Sequence, residues 1–151
     1  MFFKRKKISS NLAFIAGSSK TMEQAAEFAR QNIDVFWNAL NSGNFDPDGF
    51  AIKVGFHHDD EAEVSVEHIW VAAPSKMPEG FQGILGADSF YSDKLKQGQP
   101  VGFFLDDITD WQYTDQGKAI GHFSTRVLLQ DMSSSEQKSI LKSLKWKTLD
   151  G

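Results

Sequence analysis

Two short stretches of alternating residues lie so close together that only one kind of sheet can hold them. Phe50, Ile52, Val54 and Phe56 alternate with Ala51, Lys53 and Gly55, the period of a half-buried strand. A polar run, His57-His58-Asp59-Asp60-Glu61, follows as a turn. A second strand then runs from about Glu63 to Ala73, with Val64, Val66, His68, Trp70 and Ala72 on one face and Glu63, Ser65, Glu67, Ile69 and Val71 on the other. A parallel crossover needs a dozen or more connecting residues, so the pair reads as an antiparallel hairpin.

The elements around it follow from period and punctuation. Met22, Ala25, Ala26, Ala29, Ile33, Phe36 and Leu40 recur at steps of three and four and predict one helix from about Met22 to Asn41. Thr21 and Gln24 have capping-box spacing, and Gly43 suits the left-handed position after the helix end. Pro74 to Gly80 reads as a loop. Phe81–Gly86, Val101–Leu105 and Asp106–Tyr113 read as further strands, and Asp115-Gln116-Gly117 as a turn. Lys118 to Met132 fits both periods, with helix favoured over strand. Ser133 and Glu136 open a last short helix carrying Ile140, Leu141 and Leu144. The expected class is α+β: an antiparallel sheet of about four to five strands, with a long N-terminal helix and shorter C-terminal helices. Residues 21–151 read as a single domain, preceded by a basic arm over residues 1–20.

Composition limits the chemistry. The 151 residues contain no cysteine, which removes disulfides, thiolate zinc sites, iron–sulfur clusters and cysteine nucleophiles. Thirteen Phe and four Trp supply core volume. A formal net charge of −4 argues against nucleic acid as a partner. The start, Met1-Phe2-Phe3-Lys4-Arg5-Lys6-Lys7, is like the beginning of a signal peptide. The apolar run Leu12–Ala16 is shorter than the roughly 7–15 residues such a peptide needs. A cytoplasmic location is therefore expected ahead of secretion, and no segment reaches the roughly 20 apolar residues of a membrane span.

Few residue sets point to a reaction. The His57–Glu61 run offers metal-ligand types, but neighbours on a strand point to opposite faces and a solvated hairpin tip is the simpler reading. Asp107, Asp110, His122 and Arg126 could form an acid–base or ion-pair group. His122, Ser124 and Thr125 lack a nucleophile elbow. There is no phosphate loop, no dinucleotide fingerprint, no H-E-x-x-H and no EF-hand loop. No cofactor and no metal are expected. Trp70, Trp111 and Trp146 are candidates for a recognition surface, with core packing as the plainer alternative.

Two stretches carry a resemblance. One is Glu67-His68-Ile69-Trp70-Val71 with Gly80-Phe81-Gln82-Gly83-Ile84-Leu85. The other is Gly98-Gln99-Pro100-Val101, then Ile108-Thr109-Asp110-Trp111, Gly117-Lys118, Gly121 and Phe123-Ser124-Thr125-Arg126-Val127-Leu128-Leu129. This succession resembles the YegJ-like family of bacterial proteins, a domain of unknown function. The resemblance spans about Phe50 to Met132. It implies a bacterial origin and a compact α+β domain, with no activity to carry over. In that family an Asn shortly followed by Pro comes after the position of Leu85; here the stretch is Gly86-Ala87-Asp88-Ser89-Phe90, so a site shaped by that loop would differ.

The resemblance singles out Trp70, Asp110, Trp111, Thr125 and Arg126 as a candidate binding surface. In the plainer account Trp111 fills a core and Asp110 pairs with Arg126. The leading expectation is a protein-binding module, possible as an inhibitor or immunity partner of a basic protein. The alternative is a small-molecule binder or hydrolytic enzyme using Asp110, His122 and Arg126. The partner expected is a protein, not nucleic acid or membrane, and the oligomeric state stays open.

Overall fold

The Thr21 hydroxyl accepts the Gln24 N–H at 3.1 Å, and the Gln24 side chain accepts the Thr21 N–H at 2.9 Å. This reciprocal cap opens helix α1, Met22–Gln31. The structure, a computed structural model, describes residues 21–59, 64–149 and 151; the expected basic arm over residues 1–20 lies outside them.

The long helix expected from Met22 to Asn41 is broken in two. At Asn32 the backbone turns to φ −110° and ψ 16°, and α2 resumes at Ile33–Ser42. The Asn32 side-chain amide donates to the Phe28 carbonyl at 2.9 Å, the same carbonyl that its own backbone N–H uses. Asparagine competes with the helix for backbone partners in this way. The apolar period survives the break, because Ala25, Ala29, Ile33, Phe36 and Trp37 all reach one core. Gly43, at φ 72°, ends α2 as its sequence suggests.

Strands β1 (Ala51–His57) and β2 (Val66–Lys76) form the expected hairpin, with Lys53 opposite Trp70 and Gly55 opposite His68. β2 runs on to Lys76, through part of the segment expected as a loop. Pro74 is tolerated because the ladder to the next strand shifts between Ala72 and Ser75, with Ala73 at φ 48°. β3 (Phe81–Leu85), β4 (Pro100–Phe103), β5 (Ile108–Asp115) and β6 (Lys118–Gly121) complete an antiparallel sheet in the order β4-β3-β2-β1-β5-β6.

The strand count is six, against the four to five expected. The extra strand is β6, drawn from the segment in which helix was favoured. Gln116 and Gly117, at φ 51° and 83°, make a two-residue hairpin turn that pairs Asp115 with Lys118 and carries the chain back along β5. Only after Gly121 does that segment become helical, as α3 (Phe123–Leu129). α4 (Ser134–Leu144) follows behind its Ser133–Glu136 capping box.

The sheet has an apolar face and a polar one. Ile52, Val54, Ile69, Val71, Leu85, Trp111 and Tyr113 form the main core with α1 and α2. Phe36 anchors it, 5.4 Å from Phe50 and 5.7 Å from Trp111 between ring centres. The Trp111 indole N–H donates to the Ala29 carbonyl at 2.9 Å and ties β5 to α1. A smaller cluster of Ala119, Leu129 and Trp146 packs with Ile140 and Leu141 of α4. Lys53, His68, Trp70, Asp110 and Gln112 alternate to the other side of the sheet.

Candidate functional site

The polar face is organised by one buried carboxylate. Helix α3 starts at His122 in a left-handed conformation, φ 54°, with no side-chain cap of its own. Asp110, from the neighbouring strand, supplies the cap. It accepts the N–H groups of Trp111 at 2.8 Å, Phe123 at 3.0 Å and Ser124 at 2.9 Å, and also the Ser124 hydroxyl. Asp110 is wholly buried. The hydrogen bonds from these four donors offset the cost of burying its charge.

Lys53 stands opposite Asp110 across the β1–β5 ladder and donates to the Ser124 hydroxyl at 3.2 Å. Burial holds its ammonium below the usual lysine range, against the attraction of Asp110. His122 bonds Gln112 Oε1 through Nε2 at 2.7 Å and the Thr125 hydroxyl through Nδ1 at 3.1 Å. With Gln112 offering an oxygen, Nε2 carries the proton and Nδ1 accepts from Thr125. Burial lowers the His122 pKa; Asp110 opposes this, while Lys53 and Arg126 reinforce it. Arg126 is buried, donates to the Gly121 carbonyl at 3.1 Å, and lies 4.8 Å from the Trp146 ring centre and 5.3 Å from that of Phe123.

The residues singled out from sequence therefore divide. Asp110, His122 and Arg126 gather in one neighbourhood, since His122 feels the charge of both others. Thr125 positions His122. Trp70 is half-buried on the polar face, 5.4 Å from His122. Trp111 lies in the core, with no exposed surface, and Trp146 is buried with its N–H donating to the Ala119 carbonyl at 2.8 Å. Lys53 and Gln112 escaped notice in the sequence. The available signal for Lys53 was a charged residue inside an otherwise apolar or small alternation.

The polar turn after β1 splits as strand alternation requires. His57 is exposed, with Nε2 3.8 Å from Asp107. His58 turns inward, and its Nε2 lies 2.8 Å from Glu67 Oε1. Asp60 and Glu61 lie outside the described residues.

Glu67 is the second buried carboxylate, and it holds a loop. Besides His58, it accepts the Ser89 hydroxyl at 2.5 Å and the Phe90 N–H at 2.9 Å. The Ser89 oxygen in turn accepts the N–H groups of Tyr91 and Ser92, both at 3.0 Å. Burial pushes the Glu67 carboxyl upward, but Ser89, the Phe90 N–H and His58 outweigh it and the pKa falls. The pinned segment presents Phe90 with 93% of its surface exposed. This is the stretch in which the sequence departs from the pattern it resembles.

Residues 19–146 match a family described as "Uncharacterized protein conserved in bacteria (DUF2314)". The chain belongs to this family. The chain is also similar to "Uncharacterized protein YegJ" of Escherichia coli strain K12, 25% identical over 137 residues that cover 91% of this chain and 86% of that one. A "Putative ankyrin repeat protein" of Neisseria meningitidis serogroup B is 25% identical over 132 residues, 85% of this chain. The match covers 52% of that protein, so the chain spans about half its length. No solved structure matches. Among the described residues of this DUF2314 chain, no helix is long and apolar enough to cross a membrane.

Proposed function

We propose that this DUF2314 chain is a protein-binding module, with the loop bearing Phe90 as part of its recognition surface. The carrying observation is the combination at residues 67–90: a buried carboxylate fixes the loop backbone, and the side chain it presents is 93% exposed. A loop whose backbone is fixed before binding has less conformational freedom to lose when a partner closes over its exposed ring. The net charge of −4 suits a basic partner, as an inhibitor or immunity role would require. The Neisseria relative is named for ankyrin repeats, an architecture that builds extended binding surfaces.

The hydrolytic alternative meets a physical obstacle. A general base must reach the proton it removes. Asp110 is buried with its oxygens already accepting four donors, and both His122 nitrogens are engaged. These groups hold β5, β6 and α3 together.

The test places a photo-cross-linking residue at position 90 of the full chain, with position 138 on α4 as control, followed by identification and purification of what is captured from bacterial lysate. Support requires a single protein captured from position 90 alone, whose binding weakens at least tenfold in Phe90→Ser with an unchanged melting temperature. Equal capture from both positions, or binding indifferent to Phe90→Ser, removes the proposal.

A further inference from the structure

The polar face of the sheet carries more hydrogen-bond donors than its own acceptors can use. Lys53 and Trp70 are direct partners across β1 and β2, with the ammonium 5.9 Å from the indole ring centre. His68 lies two residues from Trp70 on the same side of β2. It sits opposite Gly55, where an added Cβ would stand 3.5 Å from the imidazole. The Thr109 hydroxyl has one proton and two acceptors in reach, His68 Nδ1 at 3.2 Å and the Lys53 carbonyl at 3.4 Å; given to the nearer Nδ1, it leaves the imidazole N–H on Nε2, facing solvent.

The acceptors nearby are already committed. Asp110 takes four donors, and the Ser124 hydroxyl gives its proton to Asp110 and accepts from Lys53. His122 is bound at both nitrogens by Gln112 and Thr125. The remaining ammonium protons of Lys53, the indole N–H of Trp70 and the Nε2 of His68 find no acceptor among the described residues. Trp70 is half-buried and His68 exposed, so the three form a patch that a ligand from solvent can reach.

We infer that Lys53, Trp70 and His68 bind a small monocarboxylate with a flat or apolar body. A carboxylate brings acceptors in several directions and one negative charge, which matches one ammonium and two N–H donors. It restores to the partly desolvated ammonium the anionic partner that Asp110, turned toward the α3 backbone, only partly provides. A phosphate dianion would bring a second negative charge close to buried Asp110. The half-buried indole supplies the surface for the apolar body. The site is separate from the Phe90 loop, so the two proposals fail independently.

Nuclear magnetic resonance of the four indole N–H groups tests this on the full chain. Benzoate at millimolar concentration shifts one indole signal saturably, and that signal is missing in Trp70→Phe. The Trp111 and Trp146 signals stay in place, since their N–H groups donate to the Ala29 and Ala119 carbonyls. Lys53→Met weakens binding at least tenfold, and His68→Ala, at the exposed edge, weakens it several-fold with the folded spectrum preserved. A short peptide with a free C-terminus, bound more tightly than benzoate, assigns the carboxylate to a chain end; tighter benzoate assigns it to a free acid. No saturable shift, binding unaffected in both Lys53→Met and His68→Ala, or equal binding of inorganic phosphate overturns the assignment.

Discussion

Asp110 holds Ser124 twice, accepting its backbone N–H at 2.9 Å and its hydroxyl through the same carboxylate oxygen. Fourteen residues separate the two, and the contact joins the middle of β5 to the first turn of α3. Replacing the carboxylate with an amide puts an NH2 group among donors that need an acceptor. Asp110→Asn should cost about 3 kcal/mol. At roughly 2–4 °C per kcal/mol for a domain of this size, the melting temperature falls by about 6–12 °C. Urea denaturation measures the loss; a change below about 1 kcal/mol would show that the carboxylate is not the cap of α3.

Gly121 ends β6 at φ 96°, and an added Cβ would lie 2.2 Å from the Trp111 carbonyl oxygen. Gly98 has a similar angle, φ 88°, with nothing within 4 Å. Both alanine variants meet backbone strain of about 1–3 kcal/mol, and only Gly121→Ala adds a collision with backbone. The expected result is a folded, mildly weakened Gly98→Ala and a Gly121→Ala at least 2-fold more destabilised in the same denaturant series. Equal losses would mean that β6 and β5 can separate freely at this point.

Acid should weaken the fold through the polar face. Burial lowers the pKa of His122, with Asp110 opposing and Lys53 and Arg126 assisting; burial and then Lys53 lower that of His68. A histidine depressed in the folded state binds fewer protons there than in the unfolded chain. Its contribution is complete above the ordinary value of 6.5 and declines as pH falls through that value toward the folded pKa. The melting temperature should drop between about pH 7.5 and pH 5.5, and less steeply in His122→Asn. A slope unchanged by that substitution would assign the acid sensitivity elsewhere.

Glu67→Gln should loosen the Phe90 loop ahead of the sheet. A neutral amide oxygen accepts more weakly than the carboxylate that now receives the Ser89 hydroxyl, the Phe90 N–H and the His58 ring. Hydrogen exchange at Phe90, Tyr91 and Ser92 should quicken while Val54 and Trp111 stay protected. Uniform quickening across the chain would show that Glu67 supports the whole fold instead of the loop.

Phe90→Ser should leave stability within about 0.5 kcal/mol of the native chain, because the ring touches almost nothing that folding buries. A loss well beyond that in thermal or urea unfolding would mean the ring packs against the protein, and the recognition proposal would lose its carrying observation.

Much of the fold was legible because its causes are local. The β1–β2 alternation, the capping boxes at Thr21 and Ser133, and the Gly43 helix stop all lie within a few neighbouring residues. So did the opposed directions of Glu67 and His68. Asn32 was harder: a periodic apolar face predicts a helix, and the period continues across the break while the backbone does not. β6 was ambiguous because Phe123 and Val127, in the same stretch, fit both periods, and pairing with β5 through the Gln116-Gly117 turn decided it.

Sequence alone determined the α+β class, the hairpin and the caps, since those depend on side-chain period and on hydrogen bonds a few residues long. Only the tertiary structure decided that Trp111 belongs to the core while Trp70 faces outward, and that Asp110 caps a helix fourteen residues away. It also brought Lys53 to Ser124 across seventy-one residues. Alternation places neighbours on opposite faces without saying which face will be covered, and that choice is made when α1 and α2 settle on one side of the sheet.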